Sequence, residues 1–176
     1  LREQVEIIGV DMSAGYLSHL IWAAEDVSHV LEQHNIENGF ALLVAGSAAR
    51  HPQKRWHGFP ALIEELAARN IQAVTAPGPD EHDLCAGLPA IMLMDCDKFL
   101  TLGQLVGLAS HCEFVVGNDT GPTHMLAAAH TKGVALFGSN HSPATNTGIG
   151  EIYQVVEKPT VKDISVQEVL TAIYRL

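Results

Sequence analysis

Apolar residues along the chain fall into short runs that alternate with stretches of helical spacing. Phe40 to Ala45, Ile71 to Ala76, Ile91 to Met94, Phe114 to Val116 and Gly133 to Phe137 read as strands buried on both faces of a sheet. Between them, Leu62, Ile63 and Leu66, then Leu102, Leu105, Val106 and Ala109, then Met125, Leu126 and Ala129 recur as one face of a helix each. Val169, Ile173 and Leu176 mark a last helix, and Ile152 to Val156 an edge strand. Thr101 with Gln104 and Ser165 with Glu168 stand at capping-box spacing just ahead of two of these helices. Pro60 suits a first helical turn, and a short helix is expected over Glu81–Ala86. Strand and helix in alternation predict an α/β fold with a right-handed parallel sheet.

The N-terminal part reads differently. Arg2 to Ile8 can form a helix ending at Gly9, and Leu17, Leu20, Ile21, Ala24 and Val27 mark a second helical face running on to Leu31. Seven of the twenty acids lie before Gly39 against one base, Arg2, which predicts a solvated helical lead-in over residues 1–38. Asn38-Gly39 is a turn signal, and residues 39–176 form the sheet domain. A chain of 176 residues, 47% apolar, suffices for one such domain with a core. No apolar run approaches the roughly 20 residues of a membrane span. A start at Leu1, without Met or a leader, looks like a fragment. Three cysteines without motif spacing fit reduced cytoplasmic thiols rather than a disulfide framework.

The net charge of −10 argues against a general nucleic-acid binder. Its distribution points to an anionic ligand. No Asp or Glu occurs from Asn38 to Ile63 or from Thr120 to Gly150, and Arg50, Lys54 and Arg55 lie in the first window. Around the second, Phe114-Val-Val-Gly-Asn-Asp-Thr-Gly-Pro122 leaves a strand, turns and enters a helix with Pro122 in its first turn. The free N–H groups of such a helix start bind anions, phosphate above all; the plainer reading is a strand-to-helix turn with Asp119 as N-cap. Loops beyond the carboxyl ends of parallel strands make the ligand crevice. The Gly46–Trp56 loop can therefore meet the Asp119 turn, with Ser47 and Lys54 as phosphate donors. A solvated basic surface is the competing reading for Lys54 and Arg55, and Trp56 reads as a packing residue. Glu81 can accept from ribose hydroxyls or serve as a first-turn acid. The polar Ser139–Gly150 stretch has the length of a functional loop. The chain lacks G-x-G-x-x-G, Walker A and G-x-S-x-G patterns, and His82 with Cys85 has no second pair to complete a metal site.

Several of these segments together resemble the C-terminal half of glycosyltransferase family 9, the bacterial heptosyltransferases of lipopolysaccharide core assembly. They are Arg2-Glu-Gln-Val-Glu-Ile-Ile-Gly9, Leu42-Leu-Val-Ala-Gly-Ser47, Lys54-Arg-Trp56, Gly78 with Glu81, and Leu100-Thr-Leu102. The strongest is Val115-Val-Gly-Asn-Asp-Thr-Gly-Pro-Thr-His124, followed by Ala127-Ala-Ala129 and Leu136-Phe-Gly138.

The resemblance implies a Rossmann-like sheet, half of a two-domain GT-B enzyme that binds a nucleotide-sugar, commonly ADP-heptose. Carried over, Ser47 and Lys54 contact the diphosphate, Asp119, Thr120, Gly121 and His124 line the same site, Glu81 approaches the ribose, and Leu100 borders the base. Asp119, itself an anion, is expected to cap the helix or accept from a sugar hydroxyl. The implied reaction is an inverting transfer without an essential metal or other cofactor. Its base lies on an N-terminal acceptor domain, so the fragment alone is expected to be inactive. Implied partners are the donor, that domain and a lipopolysaccharide-core acceptor; the implied location is the cytoplasm, at the inner face of the membrane. The alternative readings are a non-catalytic nucleotide-sugar-binding module and a sugar-nucleotide epimerase of the same architecture. The chain departs from the family pattern at Ala45 and His57, where Pro is usual, at Thr123 and Met125, where Met and Leu are commoner, and in a longer Gly15–Asn38 segment.

Overall fold

The computed structural model describes residues 20–146, 149 and 153–176. Six strands form one parallel sheet: β1 Phe40–Val44, β2 Ala73–Thr75, β3 Ile91–Met92, β4 Cys112–Asn118, β5 Gly133–Gly138 and β6 Gln154–Lys158. Their order across the sheet is β3-β2-β1-β4-β5-β6, that of the doubly wound dinucleotide-binding fold. The chain moves outward from β1 to β3 on one side, then returns to the middle and moves outward from β4 to β6. The direction reverses between β1 and β4, and in such sheets the crevice at this switch point is where ligands bind.

Side-chain alternation in the central strands feeds two cores. Phe40 and Leu42 of β1, Val115 of β4 and Ala135 and Phe137 of β5 face one side. There they meet helices α1 Ser28–Gln33, α4 Leu102–Gly107 and α5 Gly121–Ala128 through Val30, Leu31, Leu105, Leu126 and Ala127. Ala41, Leu43, Phe114, Val116, Val134 and Leu136 face the other side. Helices α2 Phe59–Ala67 and α6 Val166–Ile173 cover them with Leu62, Ile63, Leu66, Val169 and Leu170. A short α3, His82–Ala86, follows β2.

The capping boxes form as the spacing predicts: Thr101 Oγ1 accepts from Gln104 N–H at 3.0 Å, and Ser165 Oγ from Glu168 N–H at 3.3 Å. Gly39 takes a positive φ of 91°, which its turn requires. Trp56 packs edge-on to Phe59 and donates its indole N–H to Ile164 O at 2.8 Å, so it is a packing residue.

The lead-in departs from expectation. The Arg2–Ile8 helix lies outside the described residues. The second face does not run as one helix: a 3-10 turn over Leu20–Ala23 ends before Glu25, whose N–H donates to Gly103 O. Asp26 then accepts from Ser28 N–H and Oγ just ahead of α1, whose N-cap is Val27. Val27, Val30, Leu31 and Ile36 are buried in the first core, so one face of residues 27–36 packs on the sheet while Ser28, His29, Glu32, Gln33 and Asn35 on the other stay exposed. Strand β2 is shorter than the Ile71–Ala76 run because Ile71 N–H completes the end of α2 by donating to Leu66 O, with Asn70 at φ 60°.

Candidate functional site

The switch point is built by two loops, Gly46–Gly58 after β1 and the Asp119–Thr120 turn after β4, tied together by one side chain. Asn118, fully buried at the end of β4, accepts from Trp56 N–H at 3.1 Å. Its amide donates to Ala45 O at 2.8 Å and Gly46 O at 3.2 Å. Thr123 Oγ1 returns from the first turn of α5 to Asn118 O at 2.7 Å. A Cβ at Gly117 would stand 2.3 Å from Thr123 Oγ1, so this close docking of α5 on β4 needs a glycine.

Asp119 comes next and is 7% exposed. Its Oδ2 receives Lys54 Nζ at 2.5 Å, and its Oδ1 lies 2.9 Å from His124 Nε2. The sequence expectation that Asp119 caps the helix is thereby corrected: Thr120 is the N-cap, with extended backbone and no side-chain cap bond, and the Asp119 carboxylate is turned to two nitrogen donors instead. Burial by itself raises the Asp119 pKa. Hydrogen bonds from His124, Lys54 and Ser142, with the charge of Lys54, outweigh it and hold the carboxyl well below the usual carboxylate range.

That shift makes a prediction. The unfolded carboxyl has a pKa near 3.9, above the folded value, so the stability it contributes is complete above about pH 4 and is lost as pH falls from there. Asp119→Asn should therefore be less stable than the parent at pH 7, and the gap should close as urea melts are taken from pH 5 toward pH 2. A gap independent of pH would show that the carboxylate charge does not contribute.

Lys54 and Asp119 open onto a pocket of about 450 Å³ that also takes in Ser47, Arg50, His51, Glu81, Thr120, Gly121 and His124. Seven of the eight residues singled out from the sequence thus line one crevice. Lys54 is one-quarter exposed and ion-paired, not a freely solvated surface cation. A Cβ on Gly121 would meet nothing within 4 Å, so this end of α5 is open for close approach. Glu81 lies flat over Gly46, where a Cβ would stand 2.1 Å from its carboxyl carbon, and accepts from Gly78 N–H at 3.1 Å. Ser47 is 1% exposed; its hydroxyl donates to His51 O at 2.9 Å and accepts from Arg55 Nε at 3.1 Å, which braces the loop from within. Leu100 is outside this pocket. It borders a smaller hollow of about 100 Å³ that shares Gly78, Glu81 and Pro122 with it.

Sequence reasoning assigned no role to Asn118, His51 or Ser142. A polar residue closing an apolar strand was the signal available for Asn118; the others carry no local signature. Among the described residues no group of three or more His, Cys, Asp or Glu could hold a metal ion, and no helix is long and apolar enough to cross a membrane.

Comparison with known proteins meets this geometry. Residues 23–169 match the model of glycosyltransferase family 9 (heptosyltransferase). Lipopolysaccharide heptosyltransferase 3 of Escherichia coli is 32% identical over 108 residues, 55% of this chain and 31% of that protein. The family 9 glycosyl transferase of Veillonella parvula superposes with a TM-score of 0.72 at 19% identity, covering 85% of this chain and 49% of that one. The E. coli heptosyltransferase WaaC, solved with ADP, gives a TM-score of 0.64 at 20% identity, covering 85% and 48%. The chain thus spans about a third to a half of the length of these relatives, and its parallel sheet has the Rossmann-like form of a GT-B half. The chain belongs to glycosyltransferase family 9, the heptosyltransferase family.

Proposed function

We propose that this chain is the donor-binding half of an inverting heptosyltransferase, holding a nucleotide-sugar of the ADP-heptose type. The observation that carries the reading is the pocket at the switch point, where Lys54 and the open N-terminus of α5 face one volume. Negative charge grows on the nucleotide diphosphate as the sugar leaves. A lysine and fixed backbone N–H groups stabilise that charge without reorganising. Lys54 exchanges Asp119 for the diphosphate, and Asp119, still held by His124, is left to accept from a sugar hydroxyl. Glu81 lines both the main pocket and the Leu100 hollow; in this reading ribose lies at that junction and the base against Leu100. ADP in the WaaC structure supports adenine as that base. In this reading the residue that deprotonates the acceptor and the lipopolysaccharide-core acceptor surface lie on an N-terminal domain, and the whole enzyme works at the inner face of the membrane.

Binding and chemistry should therefore separate. Titrated by calorimetry with chelator present, the chain should bind ADP in preference to UDP, GDP and CDP, and should transfer no sugar until the missing domain is added. Lys54→Ala should weaken ADP by roughly 1.5–3 kcal/mol, the range for a hydrogen bond to a charged group. Unchanged affinity in a folded Lys54→Ala variant would remove Lys54 from the site. Failure of all four nucleotides to bind a folded parent would remove the donor-site reading.

A further inference from the structure

A larger cavity, about 610 Å³, lies on the other side of the Gly46–Gly58 loop and plays no part in the scheme above. Its floor is Ala45, Trp56 and Phe59, held rigid by the Trp56–Ile164 hydrogen bond and the edge-on ring contact. Its two ends differ in chemistry. Leu84 and Leu88, from α3 and the residues after it, make one end apolar, and Leu84 is more than one-third exposed. Lys162, which follows β6, makes the other end basic, and His141, which follows β5, also lines the cavity. Leu84 and Leu88 come after β2 and Lys162 after β6, so the cavity draws its lining from both halves of the sheet and forms a groove between them.

No carboxylate lines this groove among the described residues, in a chain with twice as many acids as bases. The nearby Asp163 is turned away, accepting from Thr160 N–H and Oγ1 at 3.0 and 2.9 Å. Lys162 is exposed and has no ion-pair partner among the described residues. Midway, the Arg55 guanidinium is pinned by two donations to Ser47, at 3.1 and 2.8 Å, and adds fixed positive charge. An apolar trough that ends in an unpaired lysine is complementary to a long molecule with an apolar body and an anionic head.

We infer that this groove is a second binding site, for an anionic amphiphile, with the alkyl body against Trp56, Leu84 and Leu88 and the head at Lys162. Dodecyl phosphate below its micelle concentration is the probe. In a Trp22→Phe background Trp56 is the remaining tryptophan, and its emission should change saturably with dodecyl phosphate. Lys162→Glu and Leu84→Glu, both at exposed positions, should each weaken binding at least about tenfold, the scale of losing a charged contact or burying a charge in an apolar trough. Saturating ADP should leave the affinity unchanged, since the two sites lie on opposite sides of the loop. The inference is overturned if no saturable change occurs, if dodecyltrimethylammonium binds equally well, if neither substitution matters, or if ADP competes. ADP binding itself is read in the same samples and stands or falls separately.

Discussion

Asn118→Ala should destabilise the chain by about 3 kcal/mol and abolish measurable ADP binding at the proposed site. The side chain makes three hydrogen bonds in a fully buried position, to Trp56 N–H, Ala45 O and Gly46 O. Each contributes about 1 kcal/mol net, and truncation also leaves those three backbone groups without their partner. At about 2–4 °C per kcal/mol for a domain of this size, the melting temperature should drop by roughly 6–12 °C. The functional loss has the same cause. The amide fixes the start of the loop that carries Ser47 and Lys54 against the strand that carries Asp119, and misplacement by about 1 Å is enough to undo a charged constellation. Asn118→Asp should do no better, because a carboxylate cannot donate to two carbonyls. Melts within 1 kcal/mol of the parent would refute the bracing role, and normal ADP affinity in a folded variant would detach bracing from binding.

Gly133→Val should be comparably damaging, for a reason remote from the site. A Cβ on Gly133 of β5 would stand 2.4 Å from two ring atoms of Tyr153. The ring is 2% exposed and cannot retreat, since its hydroxyl is 2.7 Å from Thr131 Oγ1, which in turn donates to Leu126 O. Overpacking usually costs about 1–3 kcal/mol, and two further methyl groups put valine at or above the upper end. Its better strand propensity returns at most about 1 kcal/mol. In a Tyr153→Ala background the same substitution should lose most of its penalty, because the clash has gone. A penalty of the same size in both backgrounds would mean that the ring is not what valine meets.

Much of this architecture was legible in the chain because it rests on local or periodic signals. β1, β5 and the Phe114–Val116 centre of β4 are apolar runs, and burial on both faces leaves them nothing polar to alternate with. Thr101–Gln104 and Ser165–Glu168 are three residues apart, so their reciprocal bonds show in the spacing alone. The acid-free loops and the turn before Pro122 identified the crevice for the same reason. What stayed hidden depends on partners far along the chain. Residues 24–27 leave helical geometry because Gly103 offers Glu25 a carbonyl, 78 positions away. The Asp119 carboxylate faces Lys54, 65 positions earlier, and not the helix start. Ser47 lines the crevice, but the engagement of its hydroxyl by His51 and Arg55 inside its own loop is a fold-back that residue types do not encode.

The pairing of β1 with β4 also bears on how the chain reaches this state. The two central strands are neighbours in space, yet Leu42 pairs with Val115 across more than seventy residues. Closing so long a loop precedes any gain from it, so this register should form late and slowly. The Lys54–Asp119 contact exists only after it has formed. A ligand gripped there recognises completed chains and ignores partly assembled ones. By mass action it raises apparent stability by about 2.7 kcal/mol at a hundred times its dissociation constant. Its effect should fall on unfolding, by slowing escape from the native state, while leaving the speed of refolding almost untouched.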